Sequence, residues 1–542
     1  MTNVVFQRKD IEKEIKLDEK TIEKISLFGT PLERIDSKEI EIEVFPNRPD
    51  LISSQGFIRG FKAFLGKSTG LKKYPLIKPE KNFKVIVEKS VKNIRPYTVC
   101  AIVKNLLLDE EKIKEIIELQ EKLHLTIGRE RKKVAIGIYP LEKIILPITY
   151  KAMKPADIKF RPLDSDKEMT GLQILQKHPT GIKYSNLLKG FKEFPVFVDA
   201  KNKILSMPPI INSEETGKVT KDTKSVFVEC SGQDINTLKK VLNIIVTTLA
   251  EMQGKIYQVD MHDDKKFLSP NFEPDKIKIS LENINKLLGL TLKQKDISGL
   301  LAKMGYDYKI DMVSIPPWRT DIIHEVDIIE DIAIAYGYDN FIPEIPNIYT
   351  KGQESKESKI KNKIAELLIG LQLTEISTYH LIKQDEVKMI KNNRIIEVQN
   401  SKTDYKILRP NLLIPTLRIL SENLDNEYPQ KLFEIGRVFN INEKKETEIE
   451  ERDNLIIALT PANFTEAKQV LDYLFRTLSI EYTINETDIS GLIEGRTGEI
   501  ILNNENIGYI GEIHPKTLNN WHLKMPMSVI EINLEGIYKT FN

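Results

Sequence analysis

The side chains with the clearest chemical potential lie in PPWRTDIIHEVDIIEDIAIAYGYDN, residues 316–340. Asp327, Glu330 and Asp331 stand at i, i+3 and i+4, so at about 100° per residue they share one helical face. Asp321 sits just ahead of the helix, where PPWRT keeps the chain extended and its side chain can reach the same patch. Carboxylates gathered this way repel one another unless a hard cation or a basic partner compensates them, and an oxygen-only set suits magnesium. A solvated acidic helix face has the same spacing. Apolar Ile322, Ile323, Val326, Ile328, Ile329 and Ile332 surround the acids, which argues for a packed helix. A two-metal nuclease or phosphatase would also use clustered acids, but His324 is the sole histidine or lysine beside these.

The other reactive side chains are few. Cys100 and Cys230 lack the paired spacing of a zinc site and are too few for a disulfide framework, which fits a reducing, cytoplasmic interior. No apolar run approaches the ~20 residues that cross a bilayer, and MTNVVFQRKD has no signal-peptide core. With 80 Lys and Arg against 79 Asp and Glu, net charge neither supports nor excludes an RNA partner. A hydrophobic fraction of 41% with 29% charged residues excludes global disorder.

The elements that must position these groups read as α+β throughout, and 542 residues imply several domains. Residues 1–73 form a small module with a helix from Asp18 to Phe28 and the alternating strand EIEIEVF. A turn set by Pro46 and Pro49 follows, then a helix carrying Phe57, Phe61, Phe64 and Leu65. Residues 74–268 mix the helix DEEKIKEIIELQEKLHLTIG with strands VAIGIYPL, FPVFVDA, ILSMPPIIN and SVFVEC, and end in the helix INTLKKVLNIIVTTLAEM. Residues 269–350 hold KIKISLENINKLLGL and the acid-bearing helix. The polar run TKGQESKESK marks a linker before residues 351–542. That last part opens with an amphipathic helix. Strands IIEVQN, KLFEIGRVFNI, NLIIALT and EIILNNENIGYIGEI follow, with helices ILRPNLLIPTLRILSENL and TEAKQVLDYLFRTL between them, predicting a largely antiparallel sheet.

The string RTDIIHEVDIIEDIAIAYGYDNFIPEIP resembles the DNA-binding-like (winged or helical) B5 module of phenylalanyl-tRNA synthetase β subunits, where R-x-D-I, then D, then E-D mark a magnesium site shared with the α subunit. The resemblance makes Asp321, Asp327, Glu330 and Asp331 the ligands, with no departure at any position. FPNRPDLISSQGFIRGFKAFLG is similar to the amino-terminal module of the same family. There Asn47 and Asp50 suit turn and cap roles, and Arg48 either packs locally or contacts the partner subunit or RNA.

HPTGIKYSNLLKGFKEFPVFVDAKNKILSMPPIINSEETGKVTKDTKSVFVECSGQD resembles the family's editing (tRNA-binding, B3/B4-like) domain, which hydrolyses tyrosine wrongly attached to the phenylalanine tRNA. Such a site must hold an ester and a water and recognise a phenolic hydroxyl, because buried polar groups lose their partners when the hydroxyl is missing. Ser206, Asn212, Ser213, Thr216, Thr223, Glu229 and Ser231 suit that pocket, and each equally suits a turn or strand edge. Gln233 departs from the family's usual threonine or asparagine. Cys230 reads as strand core, with no histidine near it in sequence.

The last part resembles the family's class II synthetase-like domain. Arg437 in FEIGRVF sits like the arginine of the second class II motif, but nothing near EINLEGIYKTFN supplies the third, so the resemblance implies a non-catalytic copy. Bacterial relatives carry an inserted oligonucleotide-binding fold and an anticodon-binding domain, for which 542 residues leave no room. The match is therefore to the archaeal or eukaryotic cytosolic type. The implied activity is ATP-dependent attachment of phenylalanine to tRNA(Phe), on an α subunit that binds ATP and Mg²⁺, with editing on this chain in an α2β2 heterotetramer. The alternative is a synthetase-like scaffold or RNA-binding paralogue without editing.

Overall fold

The EIEIEV stretch alternates strictly, and strand Glu39–Val44 accordingly buries Ile40, Ile42 and Val44 on one face. It is the centre of a three-stranded antiparallel sheet, between Thr2–Gln7 and Leu32–Ile35. The sequence reading did not foresee the strand at Thr2–Gln7. This computed structural model describes residues 2–389 and 395–541 and forms two compact units, Met1–Glu344 and Ile345–Asn542.

In the first unit, helix α1 (Ser54–Phe64) starts where the Pro46 and Pro49 turn ends. Ser53 caps it by accepting from the Gly56 N–H. Phe57 and Phe61 are fully buried and stack at 5.3 Å. Beyond it come β1 (Tyr97–Lys104), α2 (Glu110–Leu125), β2 (Val134–Pro140), β3 (Ile204–Met207), β4 (Ser225–Gly232) and α3 (Ile235–Glu251). A five-stranded sheet runs Leu76–Ile77, Lys255–Tyr257, β1, β4, β2, which leaves β2 at its edge. A seven-stranded sheet runs Ile211–Asn212, β3, Phe194–Val198, Ile148–Met153, Lys84–Val87, Val259–His262, Lys266–Ser269.

Strands β1 and β4 are buried on both faces, so their period of two sorts residues between two cores. Val99, Ala101, Val103, Val226, Val228 and Cys230 join α3 in one cluster. Cys100, Ile102 and Phe227 join Phe197 and Leu205 of the seven-stranded sheet in another.

The rest of this unit is a small sheet, ordered Asp275–Lys278, Met312–Ile315, Asp307–Lys309, with helices Leu281–Leu288 and Gln294–Lys303 and then α4 (Glu325–Tyr336). The sequence suggests separate modules here, yet one buried cluster runs from Phe6 and Phe57 through Leu242 to Ile297, Trp318 and Ile332.

The second unit contains α5 (Lys356–Gly370), β5 (Gln430–Ile441), β6 (Ile449–Thr460), α6 (Phe464–Thr477), β7 (Leu492–Leu502), β8 (Glu505–Ile513) and β9 (Ser528–Asn533). Its seven-stranded sheet is ordered Thr374–Glu375, β5, β6, β9, β8, β7, Thr483–Glu486, and only the first pair is parallel. Ile364 and Leu368 of α5, Leu471 and Leu474 of α6, and Ile537 pack in one cluster. Leu417, Leu420 and Leu518 pack in another.

The expected strand IIEVQN amounts to one bridge, Glu397 to Ile407. The expected helix over 407–424 is shorter, Leu413–Glu422, because Tyr405–Leu408 is a strand and Pro410 disfavours helix in the residue before it. No helix among the described residues is long and apolar enough to cross a membrane.

Candidate functional site

Alternation along β4 places Phe227, Glu229 and Ser231 on the face opposite Cys230. Glu229 pairs across the ladder with Gly137 of β2, and Tyr139 of β2 lies two residues further along the same side. The Tyr139 hydroxyl donates to Glu229 Oε1 at 3.2 Å and lies 2.8 Å from the Ser206 hydroxyl and 3.3 Å from Asn212 Oδ1. Glu229 is 1% exposed, and its Oε2 has no hydrogen-bond partner. Burial pushes its carboxyl up to about 8 against the opposing charge of Arg95, so near neutrality it is largely the uncharged acid. Arg95 is itself buried and donates to the Ser231 carbonyl and, at 3.2 Å, to the Ser231 hydroxyl.

Glu229 and Asn212 line a cavity of about 390 Å³ whose walls include Ile113, Ile116, Ile136, Ile138, Pro208 and Ile210. The outer wall is α2, docked on the sheet edge by two residues one turn apart. Gln120 donates to the Ile136 carbonyl and His124 Nε2 accepts from the Ile136 N–H, each at 2.9 Å. An edge strand would otherwise leave both groups unpaired. Accepting at Nε2 puts the ring proton on Nδ1, which faces Glu121 Oε1 at 3.2 Å. Arg131 donates to Glu121 at 2.9 Å and to the Ile210 carbonyl at 2.8 Å, and its guanidinium stacks over Tyr184 at 4.5 Å. The loop that follows β3 is thereby pinned against the helix.

Of the seven residues singled out from sequence, Glu229 and Asn212 reach the cavity, while Ser206 and Ser231 hold Tyr139 and Arg95 behind it. The other three serve the backbone. Ser213 bonds through its N–H to the Leu205 carbonyl, Thr216 donates to that same carbonyl, and Thr223 accepts from the Thr220 N–H. Gln233 is exposed and donates to the Ile94 carbonyl, away from the cavity walls. Cys230 is buried on the far face with its thiol pushed up by burial, which excludes it as a nucleophile here.

The four acids of the helical segment do not converge. Arg319 makes a bidentate pair with Asp321 at 2.8 and 2.7 Å and reaches Asp331 at 2.8 Å, and the Tyr306 hydroxyl also donates to Asp331. Asp327 caps α4 by accepting from the Ile323 and His324 N–H groups, both at 2.8 Å, and Glu330 is exposed. Among the described residues no three His, Cys, Asp or Glu side chains are arranged to hold a metal ion. As placed here, Asp321, Asp327, Glu330 and Asp331 do not fit a divalent cation, because this chain's own donors already occupy three of them. Arg48 likewise turns inward, paired with Asp50 at 2.9 Å on both arms, and Thr320 donates to the Asn47 carbonyl. In the second unit, Arg437 lies in cross-strand pairs with Glu451 at 3.1 Å and Asp453 at 3.6 Å.

Against proteins of known identity, this chain is 41% identical to the phenylalanine–tRNA ligase β subunit of Thermococcus sibiricus, covering 91% of this chain and 90% of that one. With the β subunit of Archaeoglobus fulgidus the identity is 37% over 98% of both chains. The chain belongs to the phenylalanine–tRNA ligase β-subunit family. Its similarity is to the archaeal type. Residues 277–338 match the model of the tRNA synthetase B5 domain, and residues 342–534 match that of the phenylalanyl-tRNA synthetase β-chain CLM domain. The crystal structure of an N-terminal fragment of the Pyrococcus horikoshii β subunit is 39% identical, with a TM-score of 0.59, covering 62% of this chain and 99% of the fragment.

The cavity at Glu229 lies outside both stretches matched by the two domain models. Sequence reasoning missed Gly137, Tyr139, Gln120, His124, Arg131 and Arg95 of this ligase subunit. Only the i, i+4 pair Gln120 and His124, polar residues flanking buried Leu123, carried a signal that could have found them.

Proposed function

We propose that this phenylalanine–tRNA ligase β subunit works with an α subunit in an α2β2 heterotetramer in the cytoplasm, and that its own cavity hydrolyses tyrosine from mischarged tRNA(Phe). ATP, with Mg²⁺ on its phosphates, and phenylalanine react on the α subunit. The cross-strand pairing of Arg437 with Glu451 and Asp453 supports a non-catalytic role for the second unit, since a phosphate-binding arginine needs its charge free. No step is derived through a metal at Asp321, Asp327, Glu330 or Asp331.

The observation that carries the editing proposal is a cavity walled mostly by apolar residues, with Glu121, Arg131, Asp164 and Lys218 also among its lining, in which Glu229 is a buried, half-satisfied carboxyl. Apolar walls accept the ring of tyrosine or phenylalanine alike, whereas only a phenol supplies the partner that Glu229 Oε2 lacks. Hydrolysis then needs a water whose oxygen bonds to the ester carbonyl carbon as the bond to the ribose oxygen breaks, the proton passing to that oxygen. No protein nucleophile is required.

The test is deacylation of tyrosyl- and phenylalanyl-tRNA(Phe) by the subunit co-purified with its α chain. The tyrosyl ester should be cleaved preferentially, and Glu229→Ala should cut that preference at least ~10-fold. A complex that charges tRNA(Phe) but leaves tyrosyl-tRNA intact would overturn the editing proposal, and one that does neither would fit the scaffold or RNA-binding alternative.

A further inference from the structure

Glu229 is hydrogen-bonded by Tyr139 at one oxygen, with the Ser231 hydroxyl acting on the carboxyl from the same strand face. A terminal carboxyl turns in a broad torsional well, so an unheld one would swing between partners instead of presenting a fixed atom. Here Oε1 is taken by the Tyr139 hydroxyl, and Oε2 is left over. The Tyr139 hydroxyl is in turn located by Ser206, 2.8 Å away, and its ring is fully buried beside Phe227, with centroids 6.1 Å apart. Gly137 leaves the space that this arrangement needs, because a Cβ there would stand 2.2 Å from the Tyr139 hydroxyl and 2.6 Å from Glu229 Oε1.

We infer that Tyr139 is a positioning residue for tyrosyl-ester hydrolysis: its hydroxyl occupies the rear oxygen of Glu229 and so keeps the other oxygen for the substrate's phenol. This assignment rests on the editing function proposed above. Tyr139 does not line the cavity and touches no substrate, so its effect passes entirely through Glu229. Without the hydroxyl, Glu229 Oε1 becomes a second buried oxygen lacking a partner. The carboxyl then turns to satisfy itself on Ser206 or Asn212, and its response to the phenol is lost.

The experiment compares kcat and KM for deacylation of tyrosyl- and phenylalanyl-tRNA(Phe) by the co-purified complex carrying Tyr139→Phe. The tyrosyl kcat/KM should fall ~10–100-fold, at least ten times more than the phenylalanyl value, because only hydroxyl-dependent recognition is removed. Thermal unfolding and charging by the complex report whether the variant folds and assembles. Ser206→Ala removes only the outer bond to Tyr139 and should give a smaller loss of the same selectivity, about 3–10-fold, which decides the matter if Tyr139→Phe does not fold. Equal losses on both esters would mean a merely structural role and would overturn the assignment, as would undiminished selectivity. If the unaltered complex leaves tyrosyl-tRNA intact, the editing proposal itself fails and takes this assignment with it.

Discussion

Arg319 is 3% exposed and holds two carboxylates at once, with both arms on Asp321 and one shared with Asp331. A buried cation between two anions leaves a large deficit when it is removed, because both carboxylates lose their compensation together. Arg319→Met should therefore destabilise the first unit by roughly 3–5 kcal/mol in denaturant unfolding. EDTA should leave the unfolding midpoint of the unaltered chain where it was, and a midpoint that drops on chelation would restore the metal to these acids. The i, i+3, i+4 spacing made the acids visible in the sequence but could not reveal that the arginine two residues before Asp321 folds back on it. Glu229 was named from sequence among the polar residues of an editing-like stretch, and its place as an acid inside the apolar strand SVFVECSG is what the structure adds. Tyr139 was not legible, since an aromatic residue in VAIGIYP reads as core, and it is core as well. Ser213, Thr216 and Thr223 bond backbone groups here, and small hydroxyls serve turns as readily as ligands.

Among the elements, α2 and the edge strand β2 form the working pair. Gln120 and His124 meet one backbone unit, so the outer cavity wall is set by two hydrogen bonds and the apolar contacts around them. His124→Ala should leave the Ile136 N–H buried without a partner, costing about 1–3 kcal/mol, and should lower tyrosyl-tRNA deacylation by loosening the wall while charging on the α subunit continues. Stability assays beside the two activities would check this, and equal losses in deacylation and charging would count against it. Most elements were readable because their apolar periods are strong, as in α3 and Glu39–Val44. Those that escaped were decided elsewhere in the chain. Thr2–Gln7 is a strand because Glu39–Val44 offers it a ladder, and residues 395–400 lack a neighbouring strand long enough to pair with fully.

At the scale of the whole molecule, the continuous cluster through the first unit makes the amino-terminal module, the double-sheet region and the acid-bearing helix interdependent. A fragment of residues 1–344 should thus unfold in a single transition followed identically by fluorescence and circular dichroism, whereas separate transitions would show that the core is not shared. The same architecture gives the protein an internal clock. Cys100 and Cys230 sit on opposite faces of neighbouring strands, both buried and both with thiols pushed up by burial. An alkylating reagent can reach either one only while that sheet is open, and the two faces open toward different layers. The relative labelling rates of the two sulfurs therefore record which layer parts first, with no engineered probe.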